Sequence, residues 1–306
     1  MLNRRAVSMK VLIGLLSIAF LFSAFSDVPA QKKRPKQTKK PVQTKSTTQP
    51  SAIDDIYNAA SAIFNGTEDP YAQFRGVTYS NDGLLSEKDE VLLGDEIHKE
   101  VVKRFKLIPE GQVRVNRLGQ QVARHSLRPT LKYHFFVYEA KEINAFAIPG
   151  GRIYVASALV TNSTDDELAS VLAHEVGHIV ARHSLHAIKN AQTVGGLADL
   201  LGSITGIAGQ DAQQLGKLAA QLLASPFLLA HSREQEREAD YLGINAMKKA
   251  GFNPRGMVTM FEKLKKVSQS EPSLLGSLFS DHPDVDERIQ NSLYEINRFN
   301  QTNKNK

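Results

Sequence analysis

Hydrophobic and polar positions change rhythm several times along the chain. An uncharged run, VLIGLLSIAFLFSAF at 11–25, follows a start that carries Arg4, Arg5 and Lys10 and no acid. It has no amphipathic face and is short of the ~20 apolar residues that a bilayer crossing needs. A basic start, a short apolar core and Val28-x-Ala30 before Gln31 predict a secretory signal peptide over 1–30. An uncleaved anchor is the alternative. Residues 31–50 hold one apolar residue besides prolines, Val42, and predict a disordered linker. AIDDIYNAASAIF at 52–64 has the spacing of a short amphipathic helix within an N-terminal extension, 51–85.

From 86 to 300 the pattern is that of one folded domain, followed by a polar tail, 301–306. EKDEVLLGDEIHKEVVKRF and GQVRVNRLGQQVARHS have helical spacing, while KYHFFVYEA and RIYVAS are strand-like, rich in aromatic and β-branched residues. PGG at 149–151 marks a turn between NAFAI and RIYV. Ser163 and Thr164 followed by Asp165 and Asp166 open a helix that should run through LAHEVGHIVARHSLH at 172–186. Residues 187–230 carry only Lys189, Asp199, Asp211 and Lys217 as charges and predict helices packed on the body. The expected class is α+β: a mainly helical domain with a small sheet.

Composition narrows the chemistry. With no cysteine, disulfides, thiolate zinc sites, thiol catalysis and a lipid-modified N-terminal cysteine are excluded. The net charge of +6 is a tail effect: residues 1–45 hold ten Lys/Arg and one acid, Asp27, which leaves 28 basic against 31 acidic residues elsewhere. The folded part is therefore no nucleic-acid-binding face. The linker's charge suits contact with an anionic lipid surface, at about 1 kcal/mol per basic residue, or a solvated tether.

Four of the nine histidines lie between 172 and 186. On a helix, residues four apart are offset by about 40°, so His174 and His178 project side by side and can share one zinc ion, with Glu175 in reach of a metal-bound water. His183, five residues on, falls about 140° around a continuous helix. It and His186 are expected at the surface or at a helix C-terminus, not as ligands. The third ligand is then expected from HSREQEREADYLGI at 231–244. Relative to Ala239 on its packed side, Glu236 falls at about +60° and Asp240 at about +100°, while Glu238 and Glu234 lie at about −100° and −140°. Glu236 is the expected ligand, and Asp240 is placed to accept the second N–H of a zinc-bound imidazole, that of His174. Glu234, Arg237 and Glu238 fit a solvated face.

Four stretches, NAFAIPGGRIYVASALV, LAHEVGHIVARH, SREQEREAD and DHPDVDER, together resemble the gluzincin metallopeptidases of the HtpX, Ste-type CAAX prenyl protease and BepA–LoiP–YcaL family, across about residues 86–290. The resemblance implies a zincin-like domain holding one zinc per chain on His174, His178 and Glu236. It implies Glu175 as the base and NAFAIPGG as the edge of the active-site sheet, where an extended or unfolded polypeptide would pair near Asn144, Ala145 and Phe146. Without further membrane helices, a helical repeat domain or a lipoprotein cysteine, the chain looks like a minimal periplasmic or secreted member clearing misfolded envelope proteins. Rival readings are an envelope chaperone or assembly factor using the same cleft, and a structural zinc protein. His282 of DHPDVDER is expected either to donate to the oxyanion of the intermediate or to occupy the open metal position and keep the enzyme latent. Arg288 is expected to anchor that loop or point into the site.

Overall fold

The computed structural model describes residues 68–79, 84–191, 212–224, 230–275 and 285–304. The expected signal peptide, linker and helix at 52–64 lie outside the described residues, as does His282. Nine α-helices and three strands follow in chain order among these residues: α1 (Glu87–Arg104), α2 (Gln112–Ala123), β1 (His134–Tyr138), β2 (Ala145–Ile148), β3 (Arg152–Ala156), α3 (Ser157–Thr161), α4 (Asp165–Val180), α5 (His183–Ala191), α6 (Ala212–Ala224), α7 (Arg233–Lys249), α8 (Arg255–Ser270) and α9 (Val285–Lys304). The class is α+β. No described helix is long and apolar enough to cross a membrane.

The sheet has the order β1-β3-β2, with β1 parallel to β3 and β2 antiparallel to it. β2 is thus an edge strand. Gly150 and Gly151, at φ 77° and 86°, make the tight turn that joins β2 to β3, a backbone conformation other residues resist. Side chains alternate across the sheet. Ala145, Ala147, Ile153 and Val155 enter one core with α2, α4 and α7–α9. Phe146, Ile148 and Tyr154 enter a second core with α1, α5 and α6. Both faces are therefore covered, and β2 and β3 are buried throughout.

Helix starts follow local chemistry. Thr164 and Glu167 form a reciprocal capping box at α4, and Ser232 and Gln235 do the same at α7. The expected single helix through 172–186 is corrected: α4 stops at Val180, Arg182 takes a left-handed conformation at φ 55°, and α5 begins at His183. For a non-glycine residue that conformation costs about 1–2 kcal/mol. It is held because the Arg182 guanidinium bonds Glu90 at 2.9 and 3.1 Å and Leu85 O at 2.6 Å. Glu90 is buried in α1 and also binds Arg128 and the Gly150 amide, so one acid ties the helix break to the β2–β3 turn.

Candidate metal centre

α4 and α7 touch through their backbones. A Cβ added at Gly177 would lie 2.7 Å from Ala239 O, and one at Gly243 would lie 3.1 Å from Ala173 C and from His174 N. Gly177 sits between His174 and His178, and Ala239 follows Glu236 by three residues, so this close approach brings the three side chains together. Their nearest atoms form a small triangle: His174 Nε2 to His178 Nε2 is 2.9 Å, His174 Nε2 to Glu236 Oε2 is 3.4 Å, and His178 Nε2 to Glu236 Oε1 is 3.3 Å. Tetrahedral zinc ligands at about 2.0–2.1 Å lie about 3.3 Å apart. The donor set and its spacing therefore fit one zinc ion. All three residues are buried, Glu236 to 1% exposure.

The surroundings treat the two histidines differently. Burial and Arg288 oppose protonation of His174, yet the charge of Glu236, with hydrogen bonds that His174 donates to Asp240 and Glu236, raises its pKa to about 9. His178 is pushed well below its ordinary value, first by burial and then by His231 and His174. Asp240, one turn after Glu236, lies 2.9 Å from His174 Nδ1. It also receives both arms of Arg288, Nε to Oδ2 and Nη2 to Oδ1, each at 2.8 Å. Arg288 Nη1 reaches Glu236 Oε2 at 2.7 Å, and the guanidinium lies 4.4 Å over the Phe261 ring. Burial works against the Asp240 carboxylate, but Arg288 and then His174 hold its pKa below the ordinary value. Arg288 thus reaches the site from α9 and bonds two acids of α7, Asp240 and Glu236, joining the two helices.

Glu175 is buried, at 2% exposure, and lines an apolar cavity with His174, Ile143, Val171, Met257 and Phe261. Asn144 precedes β2 and accepts a hydrogen bond from Ala156 N. Ala145 and Phe146 lie on opposite faces of that edge strand, and α4 packs against it. Two expectations are corrected. His183 is buried, at 2% exposure, because the break at Arg182 turns α5 so that His183 Nδ1 lies 2.8 Å from His178 Nδ1. Glu238 is not a solvated acid: it bonds His183 Nε2 at 3.0 Å and Tyr79 OH at 2.5 Å. His186 is half-buried. His231 stacks on His178 at 3.8 Å between ring centroids. His178, His183 and His231 form another cluster of nitrogens, but His178 turns its Nδ1 to that side and its Nε2 to His174 and Glu236.

Glu90, Arg182, His183, Glu238 and Tyr79 were not read as site residues from the sequence. Only Glu90 leaves a signal there, as an acid on the same helical stripe as Leu93, Ile97 and Val101.

Residues 109–296 match peptidase family M48. The chain belongs to peptidase family M48. Among its relatives are the metalloprotease LoiP of Escherichia coli K12, 37% identical over 158 residues, or 51% of this chain and 60% of that protein. The beta-barrel assembly-enhancing protease of the same organism is 31% identical over 232 residues, 72% of this chain and 46% of that protein. The mitochondrial metalloendopeptidase OMA1 of Schizosaccharomyces pombe is 30% identical over 207 residues, 66% and 59% respectively. This M48 chain thus spans about half to three-fifths of the length of the curated relatives it matches.

Proposed function

We propose that this M48 protein is a zinc-dependent metalloendopeptidase of the cell envelope that hydrolyses peptide bonds of unfolded or misassembled proteins. The observation that carries the reading is the buried triangle of His174, His178 and Glu236, with edges that suit zinc, beside Glu175 at the wall of an apolar cavity. His174, His178 and Glu236 would hold the ion. When bound, zinc polarises the scissile carbonyl and lowers the pKa of water towards about 7. Glu175 takes the proton of the attacking water and returns it to the departing amine. Arg288 and Asp240 hold His174 and Glu236 in register. An extended substrate would pair with the β2 edge near Asn144, Ala145 and Phe146 by backbone hydrogen bonds, a mode that reads extension more than sequence.

The names of LoiP and OMA1 support metal-dependent proteolysis, and that of the beta-barrel assembly-enhancing protease supports the envelope setting. Export by the 1–30 segment, with the basic 31–50 linker lying near anionic lipid, completes the proposal. The holdase reading is less favoured, because a client-binding cleft has no use for a glutamate buried beside a metal triangle. Digestion of an unfolded protein such as reduced casein, with and without chelator, tests the reading. Cleavage should stop with the chelator and return with one equivalent of zinc; cleavage indifferent to chelator contradicts it. The two duties of His282 give opposite signs for His282→Ala. An oxyanion donor removed slows turnover about 10²–10³-fold, and a latency ligand removed speeds it.

A further inference from the structure

We propose that His183, Glu238 and Tyr79 form a hydrogen-bonded line that positions His178 for the metal, as Asp240 and Arg288 position His174. The inference rests on the zinc reading above and adds three residues to it.

The line is continuous. His178 Nδ1 lies 2.8 Å from His183 Nδ1, His183 Nε2 lies 3.0 Å from Glu238 Oε2, and Tyr79 OH lies 2.5 Å from Glu238 Oε1. Its direction follows from proton counting. A neutral imidazole has one N–H and one acceptor nitrogen. If Nε2 of His178 is the ligand, its Nδ1 carries the proton and donates it to His183. His183 Nδ1 is then the acceptor, its proton sits on Nε2, and that N–H donates to Glu238. Tyr79 donates to the other carboxylate oxygen. Every proton has an acceptor and no lone pair in the line faces another. Reversing the line would put a proton on His178 Nε2, where it blocks ligation. The arrangement therefore selects the ligand tautomer of His178 and fixes its ring, the service a hydrogen-bonded partner renders a metal-bound imidazole.

Three separate parts of the chain converge to make it. Arg182, in its left-handed conformation, turns His183 back beside His178. Glu238 follows Glu236 by two residues on α7. Tyr79 comes from the segment 68–79, which Arg75 ties to Glu295 of α9 at 2.6 Å. Each carboxylate oxygen of Glu238 has its own partner, Oε2 facing His183 Nε2 and Oε1 facing Tyr79 OH. His183 differs from Asp240 in kind: it is a neutral acceptor, relaying to the carboxylate one residue further out.

The test is zinc affinity of the full chain, measured by competition with a fluorescent chelator, with the thermal melt of the metal-free protein as a fold control. His183→Leu keeps the bulk and loses the acceptor. His183→Asn loses bulk, but its Oδ1 stands where Nδ1 stood. The Leu variant should bind zinc about 10- to 100-fold more weakly, and the Asn variant should recover most of that loss. Tyr79→Phe, at the outer end, should weaken binding about threefold, on the order of 0.7 kcal/mol, a typical net hydrogen bond. It decides the matter if either His183 variant fails to fold. Equal affinity in Tyr79→Phe and the parent, or tighter zinc in the Leu variant than in the Asn variant, overturns the relay and leaves the zinc reading standing. A parent chain that binds no zinc overturns both.

Discussion

Gly177→Ala is the most direct perturbation of what assembles the centre. The new Cβ would stand 2.7 Å from Ala239 O and 3.0 Å from Ala239 Cα, both backbone atoms that cannot rotate aside. Ordinary contact begins near 3.4 Å, so α4 and α7 must separate by about 0.7 Å. Overpacking of this kind costs about 1–3 kcal/mol, and replacing glycine inside a helix returns about 1. The net destabilisation is therefore about 0–2 kcal/mol, which lowers the metal-free melt by less than about 8 °C for a domain of this size. The metal responds differently. His174 and His178 ride on α4 and Glu236 on α7, so the two edges of 3.4 and 3.3 Å stretch together. A shift of about 0.7 Å exceeds the roughly 0.2 Å tolerance of a zinc–ligand bond, and zinc affinity should fall at least about tenfold. A chelator competition and a melt in excess chelator measure the two effects separately. A variant that melts lower yet binds zinc like the parent would refute the claim that this helix contact sets the triangle.

Other outcomes follow from the same geometry. Glu236→Ala should lose zinc and proteolysis together, whereas Glu234→Ala, whose side chain is about half exposed, should keep both in metal analysis and digestion. Glu167 accepts Lys263 Nζ at 2.6 Å and the Thr164 amide at 2.8 Å. Burial would raise its pKa, but those partners hold it below the ordinary 4.5. Its folded value is the lower one, so its stabilisation is complete above about pH 4.5 and fades as pH falls through that folded value. Glu167→Gln should thus melt a few degrees lower at pH 7, with the gap closing towards pH 3; a gap that widens in acid would contradict the assignment.

Much of the fold and the heart of the centre could be read from local pattern. Capping residues located the start of α4, stretches rich in aromatic and β-branched residues located β1 and β3, and helix phase put Glu236 and Asp240 on the stripe with Gly243, the side that faces α4 in the structure. What escaped depends on one backbone angle and on distant chain. Nothing in VARHS announces a left-handed residue, since arginine seldom adopts that conformation. A continuous helix therefore sent His183 to the surface, and Glu238 lost its partner in the same step. Tyr79 lies in a stretch without periodicity, 159 residues from the glutamate it meets. Arg288 belonged to a recognised motif, but its place depends on the docking of α9 against α7. Local patterns fix elements; the hydrogen-bonded surroundings of the metal come from tertiary turns.

The central claim is that a zinc-binding triangle and Glu175 together cleave peptide bonds. Glu175→Gln, loaded with zinc and compared with the parent on the same unfolded substrate, tests it most directly. Both proteins should contain one zinc per chain, and the variant should lose cleavage by at least about 10²-fold, the lower end of what a positioned general base contributes. Cleavage by the zinc-loaded variant within a few-fold of the parent would contradict the account.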